Sequence, residues 1–286
     1  MKYKHLLLPL SLVVSATAMA GGHREPYQAQ TDLINKTFSA QEAPTLRVAT
    51  FNMAASRVSS LTDIAQAIKA LNADIVAIQE VDVLTGRSGK VDQAKKLAQL
   101  TGLNIEFGRA IDFDGGQYGL AIASKYPILK TEVTQLPSGN REQRIAFEAH
   151  VDVPGFDAPI TVFNAHLDTK EDPAMRVDQV RKLNDTAIDT RGIKILMGDM
   201  NDVPYSATYQ ELTRYWNVIT DETVDFRSWP ASNPEIQVDY IMTGKAQKWQ
   251  VEDITVPQVQ TPYSDVNWPA VTDHLPIIVE MKMLEQ

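Results

Sequence analysis

Six apolar segments of this chain end in, or open on, side chains able to ligate a metal. Asn52 closes Val48-Ala49-Thr50-Phe51-Asn52, and Glu80 closes Ile75-Val76-Ala77-Ile78-Gln79-Glu80. His166 ends Thr161-Val162-Phe163-Asn164-Ala165-His166, and Asp199 and Asn201 end Ile195-Leu196-Met197-Gly198-Asp199-Met200-Asn201. Asp239 lies in Gln237-Val238-Asp239-Tyr240-Ile241, and Asp273 with His274 opens the last apolar run. Taken singly, each has a plain structural explanation. A carboxylate at a strand end is commonly a solvated turn residue, and an isolated histidine is commonly structural. Turn chemistry does not account for the recurrence. The chain has no cysteine, so a metal would be held by oxygen and nitrogen donors, and disulfides are absent.

Strand ends are where a rigid sheet offers side chains to a ligand, and the chain has the pattern of such a scaffold. A strand is predicted over 46–53. Leu61, Ile64, Ile68 and Leu71 recur at helical spacing behind Ser60 and Asp63, which resemble a capping box. Residues 74–80 are almost continuously apolar, as expected of a strand covered on both faces. A helix over 91–100 stops at Gly102. Strands over 105–109, 118–124, 131–135, 145–153 and 160–166 follow with little helix between them. Asp172-Pro173 marks a helix start, continued by Val180, Leu183 and Ala187. A strand over 193–197, a helix over 207–215 and closing strands over 238–242, 251–256 and 275–281 complete the chain. Two blocks of strands, each with helices, predict an α/β fold of two sheets packed face to face with helices outside. There is no repeat, low-complexity stretch or linker, so 45–286 reads as one domain.

Residues 1–20 read as an export signal. Lys2 and Lys4 start it, an apolar run spans 6–14, and Ala18-Met19-Ala20 gives the small-x-small cleavage pattern. That run is far short of the about twenty residues that span a bilayer, and no later segment is long and apolar enough. A periplasmic or secreted protein, monomeric, is expected. Residues 21–44 are polar, lack a sustained period and close at Pro44; they read as a leader or arm. The formal net charge is −9, and loss of Lys2 and Lys4 takes it to about −11. Such a surface repels polyanions, which disfavours sequence-blind binding to long nucleic acid unless a local basic cleft overrides it.

Seven segments, in order, resemble the motifs of the endonuclease/exonuclease/phosphatase superfamily, which includes DNase I, abasic-site endonucleases, inositol polyphosphate phosphatases and neutral sphingomyelinases. They are Leu46-Arg-Val-Ala-Thr-Phe-Asn52, Ile78-Gln-Glu-Val81, Tyr118-Gly-Leu-Ala-Ile-Ala-Ser124, Phe163-Asn-Ala-His-Leu167, Met197-Gly-Asp-Met-Asn201, Val238-Asp-Tyr-Ile241 and Thr272-Asp-His-Leu-Pro276. Each motif alone is weak; all seven in order are highly specific and cover about residues 46–282. Thr272 departs from the serine that is commoner before the Asp-His pair, but keeps the hydroxyl. The resemblance implies a four-layer α/β/β/α sandwich of two mixed β-sheets with helices outside.

It also implies roles. Glu80 resembles the main ligand of a hard divalent cation, Mg²⁺ or Mn²⁺, which prefers oxygen donors and retains several waters. Asn52 and Asp273 stand where the family places further or water-mediated ligands. The cation would neutralise the phosphate and stabilise the departing oxygen. His274 resembles the catalytic histidine, as base or as charged electrophile, and Asp239 would accept its other ring proton. Asp199 resembles the residue that orients or deprotonates the attacking water. Asn201 and His166 resemble the donors that grip the phosphoryl oxygens. Water would attack phosphorus in line, without a covalent intermediate. Tyr118 is a candidate phosphate contact, although in abasic-site endonucleases the tyrosine lies one residue earlier. Arg144 is a second candidate. Asp168 reads as support behind the site, Arg176 as a surface residue, and His23 and His150 as structural.

These motifs imply phosphoester hydrolysis and leave the alcohol open. Loops 53–60, 82–90, 109–117, 169–174, 202–206 and 225–236 are expected to set specificity. The last contains Phe226 and Trp229, which either stack on a substrate or pack the loop. The acidic surface favours a phosphodiesterase or phosphatase acting on a small or lipid-derived phosphate ester, with diester and monoester both open. The alternative, an exported nuclease, requires a basic groove, for which Arg87, Lys90, Arg109, Lys125, Arg141 and Arg144 are the candidates. A non-catalytic binding module is disfavoured because Glu80, Asp199 and His274 are all present, and no aromatic hairpin for membranes is evident.

Overall fold

A computed structural model describes residues 43–258 and 262–285. The expected export signal over 1–20, nearly all of the expected arm over 21–44 and His23 lie outside them. The strands are β1 (Thr45–Asn52), β2 (Ile75–Val83), β3 (Asn104–Phe113), β4 (Gly116–Ser124), β5 (Ile128–Gln135) and β6 (Ile145–Val151). They continue as β7 (Ile160–His166), β8 (Lys194–Asp199), β9 (Trp216–Val218), β10 (Asp239–Gly244), β11 (Lys248–Thr255) and β12 (Ile277–Glu285). The α-helices are α1 (Leu61–Leu71), α2 (Gln93–Thr101), α3 (Ala174–Asp189), α4 (Ala207–Leu212) and α5 (Trp268–Val271).

Two six-stranded sheets result, ordered β11-β12-β1-β2-β4-β3 and β5-β6-β7-β8-β10-β9. The β1–β2 and β7–β8 pairs are parallel and the others antiparallel, so both sheets are mixed. The main core takes Phe51, Ile78 and Ile122 from the first sheet and Phe147, Val162 and Met197 from the second. Each such side chain, fully buried, stabilises by roughly 1.5–3 kcal/mol relative to exposure, so sheet-on-sheet contact is the main cohesive term. Ile64, Ile68 and Leu71 of α1 extend this core over the first sheet. On the second sheet, Val180, Leu183 and Leu212 of α3 and α4 join Phe163, Leu196 and Trp216 in a separate cluster. The expected four-layer sandwich is therefore the fold.

Local signals place the helices. Ser60 Oγ accepts the Asp63 N–H at 3.2 Å, and Asp63 Oδ2 accepts the Ser60 N–H at 3.3 Å, which closes the capping box of α1. Asp92 caps α2, and Gly102 ends it with φ +78°.

A polar network crosses the apolar sheet interface beneath the strand ends. Gln79 Nε2 donates to Asn164 Oδ1 at 2.7 Å, and Asn164 Nδ2 donates to the carbonyls of Ile78 (2.9 Å) and Ala121 (2.8 Å). Gln79 and Asn164 are fully buried. Such groups are costly unless paired, so only one relative placement of the two sheets satisfies them.

Several boundaries differ from the sequence reading. Glu80 does not end its strand: β2 continues to Val83 through a bulge between Ile78 and Val81. Asp273 and His274 do not open a strand either, because β12 begins at Ile277. The helix expected over 207–215 stops at Leu212. β9 and α5 are additional; three- and four-residue pieces are too short to display a period. The two blocks of strands do not map onto the two sheets, since β11 and β12 return to the first one.

Candidate active site

Each site side chain is aimed by a local departure from regular structure. The bulge in β2 leaves Glu80 with φ +56°, in the left-handed region, which re-aims its carboxylate out of the ladder. Gly198 has φ +149°, and a Cβ there would lie 2.0 Å from the Ala165 carbonyl oxygen of β7, so only glycine fits just before Asp199. Asn201 follows at φ +49°. Ala54, Ala55 and Ser56 form a left-handed turn with φ of 50°, 51° and 59°. Left-handed backbone costs an L-residue roughly 1–2 kcal/mol, and this turn persists because its neighbours over-determine it. Asn52 Oδ1 accepts the Ala54 N–H at 3.0 Å, and Gln93 Nε2 donates to the Ala55 carbonyl at 2.9 Å.

These devices bring the expected residues together. Glu80, Tyr118, Arg144, His166, Asp199, Asn201, Asp273 and His274 line one cleft of about 570 Å³. Asn52 and Asp239, each 1% exposed, lie directly behind it. Asn52 Nδ2 donates to Glu80 Oε1 (3.3 Å) and to Asp199 Oδ2 (3.2 Å), linking the first sheet to the second. In this orientation the Asn52 amide nitrogen is directed at both carboxylates. Thr272 donates to the Asn52 carbonyl at 2.7 Å, which ties the Asp273-His274 segment to β1.

His274 Nδ1 lies 2.9 Å from Asp239 Oδ2, which also accepts the Ser228 hydroxyl at 2.6 Å. The opposite ring nitrogen, Nε2, is 3.7 Å from Asp199 Oδ2, and His166 Nε2 is 3.6 Å from the same oxygen. Asp199 Oδ1 accepts the Asn201 N–H at 2.9 Å, and Asn201 Nδ2 donates to the Leu167 carbonyl at 2.9 Å.

The electrostatics divide these groups by role. Burial, with the neighbouring charge of Asp239, pushes the Asp199 carboxyl up to about 7. For His274 burial works against the proton, but the charges of Asp239 and Asp199 outweigh it and raise the imidazole to about 10. His166 goes the other way: burial, then Arg144 and His274, hold it well below its usual value, so it is neutral at pH 7. One cleft therefore holds a charged imidazole, a neutral imidazole and a carboxylate able to take a proton near neutrality.

Some residues carry the site without having been foreseen. The Arg57 guanidinium lies on Glu80, Nη2 to Oε2 at 2.6 Å; nothing in the spacing singled it out. Ser228 orients Asp239 from a loop with no motif. Gln79 and Asn164 did leave a signal, as polar residues inside otherwise apolar runs. Arg176 corrects the surface reading: it is 4% exposed, bonds Asp202 at 3.0 Å and donates to the carbonyls of Asp168 and Lys170. Asp168, also buried, accepts from Arg141 at 2.6 Å and so supports the cleft from behind. His150 pairs with Glu148 on β6, away from the cleft, as a structural residue.

Oxygen and nitrogen donors suited to a divalent cation are present. Asp199, Asp239 and His274 offer ligand atoms within 4.8 Å of one another. Asp239 and His274, however, already direct facing atoms at each other. Glu80 and Asp273 add two more accessible carboxylates on the same cleft, the type of donor a hard, partly hydrated cation takes.

Two mixed six-stranded sheets with helices outside and a polar cleft at their strand ends form the DNase I-like α/β sandwich. Residues 49–274 match the Endonuclease/Exonuclease/phosphatase family, and the chain belongs to it. This is a family of hydrolases acting on phosphoesters. Among solved structures, an endonuclease/exonuclease/phosphatase from Beutenbergia cavernae superposes with a TM-score of 0.65 at 22% identity, covering 84% of this chain and 72% of that one. A mannosyl-6-phosphatase from Bacteroides thetaiotaomicron gives 0.61 at 18% identity, covering 82% and 99%. A 2′,3′-cyclic phosphatase in complex with adenosine-2′,3′-vanadate gives 0.64 at 14% identity, covering 85% and 96%.

Proposed function

We propose that this chain is an exported, divalent-metal-dependent hydrolase of a small or lipid-derived phosphate ester. The observation that carries the chemistry is the Asp239–His274–Asp199 cluster at the cleft, with bond and approach distances of 2.9 and 3.7 Å. Asp199, with its raised proton affinity, takes a proton from water as the water oxygen bonds to phosphorus. The ester P–O bond breaks opposite, and the charged His274 gives its Nε2 proton to the departing alkoxide. Water and ester thus become phosphate and alcohol, and the two groups exchange their protons back through solvent. Neutral His166 and Asn201 donate to the phosphoryl oxygens as charge grows there. A Mg²⁺ or Mn²⁺ ion held by Glu80 and Asp273, with Asn52 orienting Glu80, supplies charge neutralisation at the phosphate when bound.

A nuclease is the second reading, and the pairing of the basic side chains speaks against it. Arg87 is bonded to Asp82, Arg109 to Asp112, Lys125 to Asp74, Arg141 to Asp168 and Arg144 to Glu142. Lys90 is directed at the carbonyls of Asp114 and Gly115. Cations paired with carboxylates give less counterion release with a long polyanion, and of this set Lys90, set on neutral carbonyls, keeps its charge. Two neighbours in fold that carry phosphatase names are consistent with a small ester. Export rests on the signal pattern of residues 1–20. The test is hydrolysis of p-nitrophenyl phosphate, bis-p-nitrophenyl phosphate, sphingomyelin, plasmid DNA and RNA with Mg²⁺, Mn²⁺ or chelator. Plasmid nicking without turnover of any small ester would reverse the ranking, and no metal-dependent turnover at all would end the reading.

A further inference from the structure

His166 and Asn201 are assigned above to the phosphoryl oxygens and His274 to the leaving group, and the wall of the cleft around Tyr118 carries further donors. Arg144 is 8% exposed, lines the cleft, and its Nε has no hydrogen-bond partner among the described residues. Glu142 reaches only its Nη1, at 3.3 Å. Arg87 donates through Nε and Nη2 to Asp82 at 2.7 and 2.8 Å, and its guanidinium lies 4.5 Å from the Phe113 ring centre and 5.2 Å from that of Tyr118. Its Nη1 meets no acceptor among the described residues, and the side chain is 31% exposed. Tyr118 stands within electrostatic reach of both arginines; burial, then the charge of Glu80, raise its hydroxyl, which is therefore a protonated donor at physiological pH.

Neutralising the buried Asp82 accounts for two of the nitrogens of Arg87. It does not account for the two aromatic rings beside the guanidinium or for the unpartnered Nε of Arg144. Leaving the Arg144 Nε–H unpaired in a buried wall is costly, and planar guanidinium donors such as those of Arg144 and the partly exposed Arg87 match an oxyanion in geometry.

We propose that Arg87, Arg144 and Tyr118 form a second oxyanion site, so that the substrate bears a further acidic group on the alcohol released from the scissile phosphate. This rests on the phosphoester-hydrolase reading above. The second group is a carboxylate or a phosphate; a free alcohol or a cationic headgroup leaves the site unmatched.

The test compares esters that differ only in that group. Glycerol 3-phosphate is paired with 3-phosphoglycerate, and fructose 6-phosphate with fructose 1,6-bisphosphate. The wild type is expected to favour the doubly acidic member of at least one pair by about tenfold or more in kcat/KM, the scale of hydrogen bonds to a charged group. Which pair responds distinguishes carboxylate from phosphate. In Arg144→Met, in Tyr118→Phe and in the charge-balanced double variant Asp82→Asn/Arg87→Met, that ratio should fall toward one. The double variant avoids stranding Asp82, and its melting temperature reports whether it folds. Calorimetric binding of the same four compounds to His274→Ala gives a readout independent of turnover. Preference in binding without turnover of any ester would sink the hydrolase reading and leave the site standing. Equal binding and equal kcat/KM within both pairs, or a ratio unmoved in all three folded variants, would overturn the site.

Discussion

Arg57 Nη2 rests 2.6 Å from Glu80 Oε2, so the carboxylate assigned to the cation is already neutralised by a guanidinium. The pair is held from the other side by the left-handed turn at Ala54–Ser56, whose Ala54 carbonyl accepts Arg57 Nε at 2.9 Å. A cation arriving at Glu80 has to displace or share this donor. Arg57→Ala is therefore expected to bind Mn²⁺ more tightly by about two- to fivefold, the scale of an ion pair with one half-exposed partner. Titration followed by electron paramagnetic resonance reads this directly; weaker Mn²⁺ binding in the variant would contradict the competition.

Ser228 and His274 share one oxygen of Asp239, at 2.6 and 2.9 Å. Asp239→Asn removes the charge that holds the imidazole protonated, and kcat should fall by about 10²–10⁴, the range for a positioned acid or base. Ser228→Ala leaves the charge and removes only a positioning bond, so a loss of about tenfold is expected. Unchanged kcat in Asp239→Asn would remove His274 from the reaction.

The pH profile follows from the two raised groups. Asp199 must be ionised to act as base, and that form appears as pH rises through about 7. His274 must be protonated to act as acid, and that form is lost as pH rises through about 10. kcat/KM should trace a bell with these limbs, and the Asp239→Asn variant should show its alkaline limb at lower pH. A profile flat from pH 6 to 8 would argue against Asp199 as the base.

Asn164 donates to two carbonyls of the opposite sheet and accepts from Gln79. Asn164→Ala leaves all three unpaired in a dry interface and should destabilise the fold by roughly 2–4 kcal/mol. Urea unfolding measures it, and a loss under about 0.5 kcal/mol would mean that the sheets do not depend on this network.

How much of this was legible beforehand varies with the range of the interaction. The helix start at Ser60, the stop at Gly102 and the apolar strands were readable because propensity, capping and burial of both strand faces act over a few residues. The ordered motifs from Asn52 to His274 named the chemistry for the same reason: each is a short segment that carries its own side chain, whether or not a strand ends there. The bulge at Glu80 was not readable, since it depends on how β2 pairs with β4, and neither was the placement of Arg57 or Ser228, which reach the site from loops.

Tertiary structure alone decided three matters. It returned β11 and β12 to the first sheet, which sets His274 beside Asn52 across more than two hundred residues. It paired the arginines of the candidate groove and Lys125 with carboxylates and set Lys90 on carbonyls, contacts that composition does not show. It also buried Asp199, Asp239 and His274 together: loss of water raises the proton affinity of the Asp199 carboxyl, and the two carboxylates beside His274 raise that of its imidazole against the burial. Residue types are local properties, whereas charge pairing, desolvation and strand order depend on every neighbour that folding brings near.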